Sequence, residues 1–160
     1  MNTLASLLDD RLAAVLFYGA LLALVTVAGW ASGMICLRKL TCWLCLSWMA
    51  SNVAFAAIGP EHAPWVVPAI NALITANIAR LAMAHRCRTS WEVTRLYCLE
   101  LGLIVVAFSL HRQGDVLYYA ALNLVFVARL AVAGGASGME LANRADLRDF
   151  CFLHWRLGRV

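Results

Sequence analysis

The sequence predicts an all-α integral membrane protein: a five-transmembrane-helix bundle with short loops and a C-terminal cytoplasmic amphipathic tail. Three observations lead there. The 160 residues are 63% hydrophobic and only 14% charged, whereas soluble domains carry about 25% charged residues. The apolar residues fall into long runs of the length a helix needs to cross the hydrocarbon layer. No polar stretch is long enough for a second soluble domain, so residues 1–140 read as one helical bundle and 141–160 as a tail.

The first span is predicted over 12–37. It opens on "MNTLASLLDDR", where Asp9 and Asp10 precede the first arginine. A secretory signal opens on basic residues and has a shorter apolar core, so this run reads as a retained helix. The second span, 40–58, stops at "GPEHAP", where Gly59, Pro60 and Pro64 interrupt helix. The third covers 65–84, with Pro68 acceptable in a first turn. The fourth, 96–111, is short. The fifth begins at Val116 and is taken to 138, although its end depends on "AGGASGM". The tail "ELANRADLRDFCFLHWRLGRV" is too charged to span.

Arginine and lysine orient this path, because cytoplasmic loops carry their excess. Arg38, Lys39, Arg86, Arg88, Arg95, Arg144, Arg148, Arg156 and Arg159 all fall on one side of an alternating five-helix path. Arg11 and Arg112 fall on the other. The expectation is an inner-membrane protein of bacterial type, N-terminus outside and C-terminus cytoplasmic. Trp43, Trp48, Trp65, Trp91, Tyr118 and Tyr119 lie near expected helix ends, as interfacial aromatic residues do. The net charge of +4 is spread over loops and does not suggest nucleic-acid binding.

Two strings nearly repeat. "VAGWASGM" (27–34) and "VAGGASGM" (132–139) differ at one position. Each holds two glycines one turn apart, Gly29 with Gly33 and Gly134 with Gly138, a spacing that lets helices approach closely in lipid. They are candidate packing patches, against each other or against a neighbouring subunit. "ALITANIARLAMA" (72–84) similarly echoes "ALNLVFVARLAVA" (121–133).

Three ionisable residues fall inside spans: Arg80, Glu100 and Arg129. Charges at mid-membrane are disfavoured by about 2.5–3.5 kcal/mol on insertion scales and usually pair or line a cavity. Counted from the basic side, with the fifth helix stopping at Gly134, the three lie at similar depth, so Glu100 is expected to pair with Arg80, Arg129 or both. Snorkelling is the alternative for Arg80. If the fifth helix continues through Gly134 and Gly138, Arg129 lies near mid-membrane and requires a partner. Asn71, Asn77 and Asn123 are further candidates for bonds between helices.

The six cysteines, Cys36, Cys42, Cys45, Cys87, Cys98 and Cys151, all fall near the side assigned to the cytoplasm. Thiols there stay reduced, so no structural disulfide is expected. Cys42 and Cys45 form a C-x-x-C, a spacing suited to redox exchange. In this feature and in size the chain resembles the quinone-coupled disulfide oxidoreductases of the DsbB type. That resemblance implies thiol oxidoreductase activity at Cys42 and Cys45. It departs from the family in its "GPEHAPW" and "HRQGD" loops, which carry no cysteine, and in the side assigned to the pair. His62, His85, His111 and His154 sit near helix ends rather than deep in two spans, so no haem or metal site is expected. No cofactor is predicted, and no catalytic triad, phosphate-binding loop or dinucleotide fingerprint occurs.

The leading expectation is a protein that acts without catalysis, by helix–helix assembly. It would serve as an accessory or anchoring subunit of a membrane complex, or as a holin-like pore former. The thiol oxidoreductase is the alternative and a small transporter the third reading. Expected partners are the lipid bilayer, further copies or other membrane proteins, and anionic lipid at the tail. There Leu147, Phe150, Cys151 and Trp155 recur at roughly helical spacing among arginines.

Overall fold

A computed structural model describes the backbone of residues 2–110 and 116–157, and the side chains of 12–59, 66–110, 117–118 and 120–145. The described residues form four helices, α1 (Asn2–Ala31), α2 (Ile35–His85), α3 (Arg88–Ser109) and α4 (Val116–Leu157). α2 is broken at Gly59, whose φ of 74° and ψ of 171° are not helical. Glycine reaches positive φ without the clash a Cβ would meet. The two limbs on either side, Ile35–Gly59 and Val66–His85, make five helical segments in all.

Cross-contacts give the direction of each segment. Ser47 hydrogen-bonds Asn71 and Lys39 meets His85, so the limbs of α2 run antiparallel about the Gly59 hairpin. Thr26 meets Cys45, and Asn71 meets Glu100, so α1 and α3 each run antiparallel to the limb beside them. Between α1 and α4 the contacts advance together: Tyr18 with Phe126, Val25 with Gly134, Gly33 with Arg144. Those two helices are parallel, as an alternating path of five requires.

The outside of the bundle is apolar and much of its inside is polar. Leu16, Leu24, Val27, Leu73, Val105 and Leu124 are each more than 60% exposed. Ser32, Thr41, Ser47, Asn71, Ser90, Thr94, Glu100, Arg129 and Ser137 are buried. Water would select the reverse arrangement. Leu12–Ala31, Ile35–Gly59, Val66–His85 and Ala120–Ala145 are long and apolar enough to cross a membrane. α3 is more polar, because Arg88, Glu92, Arg95 and Glu100 fall within its 22 residues. Its apolar side still joins the core: Val93, Tyr97 and Ile104 pack with Leu37, Leu40, Leu44, Ile74, Ile78 and Leu130 or extend that layer.

Four helix boundaries differ from the expected ones, α2 among them, which begins at Ile35 rather than 40. α1 ends at Ala31 rather than 37. The chain turns at Ser32–Met34, where Gly33 takes φ 71° and Ser32 hydrogen-bonds the Gly29 carbonyl while accepting from the Met34 amide. Arg38 and Lys39 therefore lie in the first turn of α2, not in a loop. α3 starts at Arg88 instead of 96, a full two turns earlier, because Arg88, Glu92 and Arg95 sit on an outer face that does not interrupt the inner one. α4 runs unbroken to Leu157, so the tail is a continuation of the last helix. Its Leu147, Phe150, Cys151 and Trp155 lie outside the described side chains, as do Arg11, His62, His111, Arg112 and His154.

The expectation of no structural disulfide is also corrected. Cys36 and Cys87 are joined, with their Cα atoms 6.6 Å apart. Cys36 is buried in the first turn of α2 and Cys87 is the N-cap of α3. The expectation rested on compartment alone, whereas folding α2 back at Gly59 brings its two ends, and these two residues, together.

Candidate functional site: a charged centre beneath a polar cavity

Arg129 is the largest fully buried side chain of the bundle, 2% exposed. It projects from the inward stripe of α4, where Val125, Arg129, Ala133 and Ser137 recur every four residues. Glu100 of α3 meets it in a buried ion pair through Nη2 of the guanidinium. The pair is extended by Asn71, whose amide nitrogen donates to Glu100 Oε1 at 3.3 Å. Ser47 in turn donates to Asn71 Oδ1 at 3.1 Å. Four helical segments thus contribute to one polar chain. Tyr97, one turn before Glu100 on the same face of α3, underlies the cation: the guanidinium carbon is 3.6 Å from its ring centroid.

The centre is left incompletely satisfied. Arginine offers five N–H donors, yet Arg129 Nε has no hydrogen-bond partner, and neither does the Tyr97 hydroxyl. Buried polar atoms of this kind are uncommon in folded proteins.

Above the pair lies a cavity of about 290 Å³. Glu100 and Arg129 form its floor, and Ser47, Ser51, Asn52, Asn71 and Asn123 supply hydroxyls and amides along its wall. Tyr18, Trp48 and Phe126 supply the apolar side, with Tyr18 and Phe126 edge to face at 5.7 Å. All five helical segments take part. Ala14, Asn52, Val67 and Leu122 mark its upper part, so it extends toward the end of the bundle that carries the Gly59 hairpin.

Of the three intramembrane charges named from sequence, the structure brings Glu100 and Arg129 together and leaves Arg80 apart. Arg80 is exposed on the outer side of α2. The buried positions there are Asn71, Ile74, Thr75, Ile78, Leu81 and Ala82. At about 100° per residue, Arg80 stands half a turn from Asn71. Sequence reasoning misses Tyr97, although its spacing from Val93, Glu100 and Ile104 places it on the same helical face.

The glycine patches have separate surroundings. A Cβ on Gly29 would lie 2.7 Å from Thr41 Cγ2, and one on Gly134 would lie 3.2 Å from Val25 Cγ2. Gly33 sits under Arg144, whereas Gly138 has nothing within 4 Å. Gly29 and Gly134 therefore pack within the chain, and neither has a glycine of the other string among its nearest neighbours. Cys42 is exposed on the bundle surface, and Cys45 Sγ lies 3.2 Å from Thr26 Oγ1. Both thiols are free.

The fold and the site define an all-helical bundle with an apolar exterior and an ion-paired, partly open interior. No protein-family model, curated protein or solved structure matches the chain.

Proposed function

We propose that this chain is a non-enzymatic integral membrane protein that binds a small, net-neutral polar solute between its helices, as a transport-class protein does. The observation carrying this reading is the cavity, part of its wall made of hydroxyls and amides, that ends on the Glu100–Arg129 ion pair. A pair serving only to hold helices together needs no space beside it, and apolar side chains would close over it. Here the space stays open, with hydroxyls and amides along one wall. The floor carries one positive and one negative charge. An entering ion would add a charge with no counterpart, which is strongly disfavoured away from water. A molecule presenting an acceptor to Arg129 and a donor to Glu100 balances both. Liquid water occupies about 30 Å³ per molecule, so the cavity suits a solute of roughly ten non-hydrogen atoms. Arg38, Lys39, Arg86, Arg88 and Arg144 gather at the end of the bundle opposite the cavity.

Three probes of one shape test this: benzamide, benzoate and benzylammonium, read by saturation-transfer NMR on the full chain in detergent. Benzamide is expected to bind, and Ser51→Phe, which fills the cavity without touching the ion pair, is expected to abolish the signal. Equal signals from all three probes that survive Ser51→Phe would exclude the reading.

A second reading, assembly with other helices, is favoured by one observation. Ala131, Gly135, Gly138 and Ala142 form an exposed small-residue stripe along α4, the kind of surface on which membrane helices pack. Such contacts suit an accessory subunit or a holin-like oligomer. Gly135→Leu with Gly138→Leu is then expected to reduce the assembled species on size-exclusion chromatography. An unchanged elution profile counts against it.

A further inference from the structure

A second, separate cleft lies where α2 passes into α3. It has a volume of about 740 Å³ and is bounded by Ala82, Met83 and Arg86 on one side and by Arg88, Trp91, Glu92 and Arg95 on the other. Arg86 takes a left-handed conformation, φ 48° and ψ 38°, and its amide donates back to the Ala82 carbonyl, ending the helix. The next residue, Cys87, is tied to Cys36. The junction is therefore held in place by a helix cap and a covalent bond.

The charges of this cleft do not balance internally. Glu92 is engaged by Arg95, whose Nη1 lies 3.0 and 3.1 Å from the two carboxylate oxygens. Among the described residues, Arg86 and Arg88 have neither an ion pair nor a hydrogen bond from the side chain. Two uncompensated cations thus face one open space. Beside them the lining turns apolar: Met83 is 60% exposed and Trp91 42% exposed. The cleft stands at the end of Val66–His85, one of the segments apolar enough to cross a membrane. Arg88 and Trp91 follow one another on one face of α3, and the Arg95–Glu92 pair lies beyond them, about 10 Å along the axis from Arg88.

Two unpaired arginines beside the exposed apolar side chains of Met83 and Trp91 match an amphiphile with an anionic phosphodiester. We propose that the cleft holds the headgroup of one anionic phospholipid. Its phosphate lies between Arg86 and Arg88, and its acyl chains run down past Met83 and Trp91. Guanidinium groups suit this role because they present several N–H donors to phosphate oxygens. The indole of Trp91 belongs at the same interfacial level. This site is distinct from the core cavity, and nothing in it depends on what that cavity binds.

The test is native mass spectrometry of the full chain in detergent, titrated with phosphatidylglycerol or phosphatidylcholine of identical acyl chains. One phosphatidylglycerol per chain is expected to be retained in preference to phosphatidylcholine. Arg86→Gln with Arg88→Gln is expected to weaken that retention roughly 10- to 30-fold, the combined effect of two basic residues at an anionic surface. Arg38→Gln, at the same end of the bundle but outside the cleft, is expected to leave it unchanged. If the double variant fails to fold, Arg88→Gln alone, at an exposed position, carries the comparison. Equal retention of the two lipids, or retention indifferent to Arg86 and Arg88, overturns the proposal. So does displacement of phosphatidylglycerol by millimolar inorganic phosphate, which would show a site for the free anion.

Discussion

The guanidinium of Arg129 is sandwiched: Glu100 pairs with its edge, and the ring of Tyr97 lies 3.6 Å beneath its central carbon. Charge and quadrupole act on the same cation, in surroundings from which water is largely excluded. Tyr97 contributes through its ring, because its hydroxyl has no partner. Tyr97→Phe is therefore expected to keep stability within about 0.5 kcal/mol, since it also removes an unsatisfied polar atom. Tyr97→Leu is expected to lose about 1–2 kcal/mol of cation–ring attraction. Thermal unfolding followed by fluorescence-detected chromatography separates the two, and equal losses would show that the hydroxyl matters after all.

Removing one member of the ion pair leaves the other buried and alone. Glu100→Gln is expected to destabilise by about 3–5 kcal/mol, and Arg129→Met similarly. The double variant, Glu100→Gln with Arg129→Met, is expected to recover much of the loss, because no lone charge remains. Yield of folded protein and Tm for the three variants check this. Full additivity of the two single losses would mean that the residues do not act as a pair.

Opposite outcomes are expected from one substitution at matching letters of the repeated string. Gly33→Ala is expected to cost about 1–2 kcal/mol, since Gly33 has φ 71° and lies under Arg144. Gly138→Ala places a methyl group in open space within a continuous helix. It is expected to be neutral or to stabilise by up to about 1 kcal/mol. Comparable Tm changes in the two variants would contradict the assigned turn.

Reduction is expected to lower Tm through a single bridge. Cys36→Ser and Cys87→Ser are expected to cost about 2–4 kcal/mol each, and to be equivalent to each other and to the double variant. Cys42→Ser and Cys45→Ser leave the bridge intact and are expected to keep the parental response to reductant. Mass-spectrometric thiol counting before and after reduction gives an independent check on which cysteines are joined.

How far the sequence carries can be read from these same residues. Five helical segments and the break at Gly59 follow from apolar run lengths and helix breakers alone. Counting along spans offers Arg129 as a partner for Glu100 on the premise that the fifth helix stops at Gly134, whereas α4 runs on to Leu157. Which arginine meets Glu100 depends on facing, and here counting depth fails. Arg80 and Arg129 share the string Ala-Arg-Leu-Ala, yet one is exposed and the other buried. The inward stripe of each helix resolves the difference, through positions such as Asn71 and Ile78 for one and Val125 and Ala133 for the other. The near-identical octapeptides are harder still. Their own letters permit both a turn and a helix. The residues C-terminal to each decide: "ICLRKL" must re-enter the bundle, so the chain reverses at Gly33, whereas "ELANRA" carries polar helix formers onward. The cavity was beyond reach, because it is made by all five segments at once and no local pattern records a space.

The unbroken course of α4 gives the molecule one long rod. At 1.5 Å per residue its 42 residues extend about 63 Å, twice the roughly 30 Å thickness of a hydrocarbon layer. Arg129 sits about a third of the way along this rod, and Leu157 stands about 42 Å farther along it. Nothing in the backbone between them, the glycines included, provides a hinge. A hydrocarbon layer would cover only about half of such a helix, so the other half would stand beyond it as a direct continuation of the segment that carries Arg129.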